Sequence, residues 1–260
     1  MAETNGNGTT IIQSVSRAAR LFLFAAAEPG GVTAKAAAER LDLTLPTTYH
    51  LLTTLVAEGL LVKNDNRRYT LGPKTAIVAD GVLRDNAPSD HFRKLLEQLA
   101  EQTEETAYLS AWRGDEIRVL AIIEGARAVR VSGLATGRGG EPHARASGKL
   151  LMAWARPELR DQLLGTGRLK KRTEHTITSR AQLDREFATI RARGYAMDDE
   201  EYSLGVTCVS APVIEDGFAV AAYTVSVPVE RFEANRERLV EATMGIAKAA
   251  STRSAHLVTD

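Results

Sequence analysis

Residues 33–71, TAKAAAERLDLTLPTTYHLLTTLVAEGLLVKNDNRRYTL, carry the pattern that decides the N-terminal fold. Thr33 is a good N-cap for an alanine-rich helix over 34–41, short enough in its side chains to pack closely on its neighbours. Asp42-Leu43-Thr44 predicts a tight turn. Pro46 falls in the first turn of the next helix, where a missing N–H is harmless, and Leu51, Leu52, Leu55 and Val56 supply its buried face before Gly59 ends it. Residues 60–62 and 68–71 then read as short strands around the basic tip Lys63-Asn64-Asp65-Asn66-Arg67. Upstream, Val15, Ala18, Phe22 and Ala25 recur at helical spacing over 14–27, with Pro29-Gly30-Gly31 as a stop. Three helices and a hairpin in that order form a winged helix-turn-helix, whose third helix enters the major groove of DNA.

The exposed face of that third helix should carry polar donors. Thr44, Thr47, Thr48, Tyr49 and His50 stand where the leucines do not, and their hydroxyls and imidazole can reach phosphates or base edges. The plainer alternative is a solvated face in a helical domain. Residues 1–75 hold eight Lys/Arg against six Asp/Glu, and three of the cations, Lys63, Arg67 and Arg68, cluster at the wing, where phosphate contacts would release counterions.

The 260-residue length suits two domains. With 44% hydrophobic and 25% charged residues the composition is globular. A single cysteine excludes an internal disulfide, and no apolar run approaches the ~18 residues of a membrane helix. Residues 1–8 lack the order of a signal peptide, so the expected compartment is the cytoplasm and the Asn7-Gly8-Thr9 sequon is expected to stay unmodified. Lys+Arg equals Asp+Glu at 33 each, which argues against a protein that coats nucleic acid by bulk charge.

Beyond the hairpin, residues 74–82 read as a connecting helix. Ser89 caps a helix with Phe92, Leu95, Leu96 and Leu99 on one face, and strands are expected at 106–112, 117–123 and 128–131. Helices follow at 149–155 and 157–164, and another opens on the capping box of Ser179 and Gln182 and closes at Gly194. Strands at 207–213 and 219–227 precede an amphipathic helix over about 229–250. The fold class is α+β, an antiparallel sheet with helices on its faces. The expected organisation is a mobile arm at 1–10, the DNA-binding domain at 11–72, a linker helix at 73–88, a second domain at 89–253 and a tail at 254–260.

The whole chain resembles the IclR family of bacterial transcriptional regulators. Ser14-Val15-Ser16-Arg17-Ala18 is similar to the family's opening helix, residues 51–60 (LLTTLVAEGL) to its recognition-helix exit and Tyr69-Thr70-Leu71-Gly72 to its wing return. Residues 143–153 (HARASGKLLMA) and 198–213 (DDEEYSLGVTCVSAPV) resemble its two C-terminal signatures, the second combining an acidic run, a glycine, a cysteine and a proline at fixed spacing. Where the family has a basic residue, then Ser-Thr, then Arg on the recognition helix, this chain has Leu45, Pro46-Thr47 and His50, so its operator is expected to differ. The resemblance implies a GAF-like α/β effector domain, contacts to a palindromic operator from these helices including Arg17 and Leu45, a homodimer or dimer of dimers, and control of a catabolic operon, with repression ahead of activation. It also implies effector contacts at Ala146, Asp198, Val206, Cys208, Thr224 and Ser226.

The residues support a pocket independently. Val206, Cys208 and Ser210 alternate onto one strand face, as do Ala222, Thr224 and Ser226, which leaves room and donors for a ligand, although a solvated sheet face gives the same pattern. Ala146, Ser147 and Gly148 lie just ahead of the helix expected at Lys149, and helix N-termini favour anions. The expected effector is a small organic acid, with a hydroxybenzoate-type aromatic carboxylate ahead of glyoxylate or pyruvate. Other signals are weaker. The Gly148-Lys149 pair lacks two positions of a phosphate loop. Cys208 with His143 or His175 could make a nucleophilic pair, but a lone strand cysteine is more often packed. The five histidines lack zinc spacing, and residues 198–201 read as a solvated turn with one inward carboxylate, so no metal, no cofactor and no membrane partner are expected. The alternative function is a small-molecule enzyme using Cys208 or Asp198.

Overall fold

The structure, a computed structural model, describes residues 2–4, 10–85, 87–131, 135–137 and 139–251, and the chain divides into two compact units, Met1–Val82 and Leu83–Asp260. The first opens with β1 (Ala2–Thr4) paired antiparallel to β2 (Thr10–Ile12). Residues 2–4 and 10 of the segment expected as a mobile arm are thus in strands. Residues 1 and 5–9 of that arm, and the tail 254–260, lie outside the described residues.

Then come α1 (Gln13–Ala27), α2 (Ala34–Leu41), α3 (Leu45–Ala57), the hairpin of β3 (Leu61–Lys63) and β4 (Tyr69–Leu71), and α4 (Thr75–Asp85). Leu21 and Ala25, Ala34 and Ala37, Leu52 and Leu55, with Val32, Leu61 and Tyr69, form one core. Each buried leucine contributes roughly 1.5–3 kcal/mol. The Thr33 hydroxyl accepts the Ala36 N–H at 3.2 Å, capping α2 as its sequence requires. Val32 and Tyr69 exchange backbone hydrogen bonds of 3.0 and 2.8 Å, so the wing carries a third extended segment.

The second unit contains α5 (Asp90–Thr103), β5 (Thr106–Arg113), β6 (Glu116–Ile123), a 3-10 turn (Pro142–Ala144), α6 (Ala146–Trp154), α7 (Pro157–Leu164), α8 (Arg180–Arg193), β7 (Ala196–Asp199), β8 (Val206–Glu215), β9 (Phe218–Pro228) and α9 (Val229–Ser251). The strands form one antiparallel sheet in the order β6-β5-β9-β8-β7. Because side chains alternate, Leu109, Ala211, Val225 and Tyr223 pack on α5 and α9, and the opposite face meets α6, itself backed by Leu183, Phe187 and Ile190 of α8.

Three local expectations are corrected. Residues 128–131 form no strand: Val129 is exposed, and Arg231 donates to its carbonyl at 2.8 Å. The fifth strand is β7 instead, which Ala-Met-Asp-Asp does not announce because it lacks β-branched residues. The helix expected from Lys149 starts at Ala146, so Ser147 and Gly148 lie inside its first turn, and the Ser179 side chain makes no cap bond to α8.

Candidate functional site

In the first unit, Thr44 caps α3. Its hydroxyl accepts the Thr47 N–H at 3.4 Å and meets the Thr47 hydroxyl at 2.8 Å. Leu45, Tyr49 and His50 are exposed and Thr47 is half-buried, as a groove-reading face requires. Thr48 is not on that face. It is fully buried and donates to the Thr44 carbonyl at 3.0 Å, because its position one turn before Leu52 turns it to the core.

The wing also divides. Lys63 and Arg67 are exposed, the Lys63 ammonium lying 5.8 Å from the Tyr69 ring centre, and both line an open groove of about 540 Å³ with Lys35, Leu45 and Tyr49. Lys35, in the first turn of α2, was not singled out in the sequence. Arg68 is committed elsewhere: its Nε donates to the Gly30 carbonyl at 2.7 Å and its Nη2 to that of Gly31 at 2.6 Å, tying the wing to the turn after α1. Arg17 lies exposed on α1.

In the second unit the register lines up the α6-facing side chains in rows. Asp198 pairs with Cys208, Cys208 with Ser226 and Ser226 with Thr106; in the next row lie Ala196, Ser210, Thr224 and Tyr108, and in the next Pro212, Ala222 and Ser110. Nearly all are buried. The Cys208 thiol and Ser226 hydroxyl are 3.0 Å apart, and the Ser210 and Thr224 hydroxyls 2.8 Å apart. Val206 sits half-buried at the start of β8. Among the described residues, the fully buried hydroxyls of Ser110 and Ser147 have no hydrogen-bond partner. An unmet buried hydroxyl costs about 1–3 kcal/mol.

Facing the sheet, Arg145 is the extended N-cap of α6 and Ala146 is buried in its first turn. Gly148 serves packing: a Cβ there would lie 2.1 Å from the Pro142 carbonyl oxygen, so only glycine lets the helix approach the 3-10 turn. Residues 198–201 are not a solvated turn with a single inward carboxylate. Asp198 and Glu201 are both buried, and the buried Lys149 ammonium, whose role the sequence did not reveal, hydrogen-bonds Glu201. Asp198 Oδ1 accepts the N–H groups of Glu201 at 2.8 Å and Tyr202 at 3.1 Å. Burial pushes the Asp198 carboxyl up to about 7, against the opposing pull of Lys149 and those N–H donors. Burial also raises Glu201 and, reinforced by the Asp198 charge, the Cys208 thiol, which stays neutral. Thr173 and Thr176 donate to the carbonyls of Glu200 and Glu201, each at 2.7 Å, strapping the loop after α7 over this turn.

A family model described as the bacterial transcriptional regulator IclR C-terminal domain matches residues 89–253, and one for the IclR helix-turn-helix domain matches residues 14–65. The chain belongs to the IclR family. It is similar to the HTH-type transcriptional regulator BhcR of Paracoccus denitrificans, 34% identical with 77% of this chain and 72% of that protein covered. It is also similar to the HTH-type transcriptional regulator Rv1719 of Mycobacterium tuberculosis, 32% identical with 90% and 89% covered. Among solved structures, an IclR homolog of Microbacterium hydrocarbonoxydans complexed with 4-hydroxybenzoate has a TM-score of 0.68 at 23% identity, with 92% of this chain and all of that chain covered; the likeness is one of fold. The named IclR relatives are transcriptional regulators, not enzymes. Among the described residues, no group of three or more His, Cys, Asp or Glu is placed to hold a metal ion, and no helix is long and apolar enough to cross a membrane. His143 meets the Lys170 carbonyl at 2.9 Å, His175 is exposed and Cys208 meets the Ser226 hydroxyl, in keeping with the packed rather than nucleophilic reading of the cysteine.

Proposed function

We propose that this IclR-family regulator is a cytoplasmic repressor of a catabolic operon that binds a palindromic operator as a homodimer or dimer of dimers and releases it when a small organic acid fills the second unit. The observation that carries the effector reading is the buried polar sheet face under α6, where hydroxyls, a thiol and a carboxyl line a surface that packing alone would make apolar. A hydroxybenzoate-type acid suits it best. The side chains of Ala146, Ala196 and Ala222 at that face are small, the first turn of α6 favours a carboxylate, and a protein of this fold holds 4-hydroxybenzoate. Residues Ala146, Ser147, Asp198, Cys208, Thr224 and Ser226 make the contacts. On the DNA side, Thr44, Leu45, Thr47, Tyr49 and His50 read the major groove, with Lys63, Arg67 and Arg17 on phosphates.

Calorimetric titration of the purified protein against benzoate, 4-hydroxybenzoate, pyruvate and glyoxylate, together with their neutral amides, tests the effector class. Saturable binding of an acid with at least tenfold preference over its amide is expected, and equal binding of the two would overturn the reading. Footprinting upstream of its own gene should show two dyad-related half-sites lost on adding that acid.

A further inference from the structure

Leu45 and Tyr49 are large, mainly apolar side chains on a face that a groove-reading helix fills with polar donors, and they are open to solvent at 44% and 48% exposure. Four residues apart on α3, they lie one above the other on its surface. Core packing does not account for them, because the buried side of α3 is Thr48, Leu52 and Leu55. Their surroundings are basic. Both line the open groove between α3 and the wing, together with Lys35 of α2 and Lys63 and Arg67 of the wing, and none of the residues lining that groove is acidic. Lys35 meets Glu39 at 4.0 Å, the outer limit of an ion pair, with both side chains well exposed, so its ammonium is free to turn to another anion.

We propose that Leu45 and Tyr49 read the 5-methyl groups of thymines in the major groove, while Lys35 joins Lys63 and Arg67 on the phosphates of the strand seated between α3 and the wing. This rests on the reading of α3 as the recognition helix and adds the base chemistry it selects. Thymine alone presents a methyl group in the major groove, and the first residues of a recognition helix are those that reach base edges. Leu45, at the first position of α3, offers no donor to the N7 and O6 acceptors of guanine, so the methyl is the partner its chemistry fits. The three cations supply the charge that holds the backbone in place without choosing a sequence. Four helical residues rise about 6 Å and two base-pair steps about 6.8 Å, so each half-site should carry two thymines within two steps of each other.

The test begins with selection of binding sites from random-sequence duplexes by the full chain. Anisotropy titrations of the enriched site then follow with single thymines replaced by deoxyuridine, which keeps every hydrogen-bonding group and deletes only the methyl. At the two contacted thymines each replacement should weaken the wild type by about fourfold. L45A should erase the penalty at one of them and Y49A at the other. K35Q should weaken thymine and deoxyuridine duplexes alike, lower the salt slope by about one and keep both penalties. Circular dichroism reports folding, and if L45A unfolds, L45Q decides in the same way, since it keeps the length of the side chain and removes its apolar end. Absence of any thymine with such a penalty, or penalties that persist in either folded variant, overturns the proposal while α3 stands as the reading helix. Enrichment of no sequence at all overturns both.

Discussion

The Lys149 ammonium and the Glu201 carboxylate are hydrogen-bonded to each other with side-chain exposures of only 1% and 8%. Removing one partner of such a pair leaves the other charge buried, whereas replacing both by neutral groups does not. K149M should therefore cost about 3–5 kcal/mol in urea unfolding, and the K149M/E201Q double variant should recover most of it. A K149M protein as stable as wild type would show that Glu201 is already neutral in the native state.

Asp198 makes stability depend on pH in an unusual direction. Its folded value, about 7, is above the ordinary carboxylate range, so the native state binds more protons than the unfolded chain between about pH 4 and 7. The contribution is present below the unfolded value and lost as pH rises through the folded one. D198N keeps an oxygen to accept the Glu201 and Tyr202 N–H groups and should flatten the fall in unfolding free energy between pH 4 and 7. The same fall in the variant would place the titration elsewhere.

Arg67 and Arg68, adjacent in sequence, should behave differently. R67A is expected to weaken all DNA sequences alike and lower the salt slope of binding by about one. R68A, losing its bonds to the Gly30 and Gly31 carbonyls, should lower the melting stability of the first unit by about 1 kcal/mol. Anisotropy titrations over salt, with melts of both variants, separate the roles; identical salt slopes and melts for the two would refute the division.

Cys208 is expected to act by shape and polar contact, with no covalent step. Burial holds its thiol neutral, and its partner is the Ser226 hydroxyl. C208S should keep effector binding within about tenfold, while C208L should fill the space and abolish the response with operator binding intact. Loss of response in a folded C208S protein would revive a reactive-thiol role.

Helices were legible where capping and apolar spacing agreed, as in α2 and α3, and from apolar spacing alone in α5, where the expected Ser89 side-chain cap does not form. The buried polar sheet face was legible through alternation, which placed Cys208, Ser210, Thr224 and Ser226 on one side. What sequence could not show was long-range pairing. Lys149 reads as an ordinary helix lysine until Glu201, 52 residues away, meets it, and Arg145 reads as a loop cation. Thr48 was misplaced because a hydroxyl turned inward to its own helix carbonyl carries the same letter as one turned to solvent. β7 was missed because its pairing with β8, not its composition, makes it a strand.

Neighbouring residues of β9 answer to opposite sides of the sheet. Thr224 faces α6 with the other buried polar side chains, and Tyr223 stacks against Phe92 on the other side, its hydroxyl donating to the Phe92 carbonyl in α5 at 2.9 Å. A single peptide bond therefore joins residues committed to the two opposite packing layers of the domain. Any shift of the Thr224 backbone tilts the same planar peptide unit that carries Tyr223 and its hold on α5.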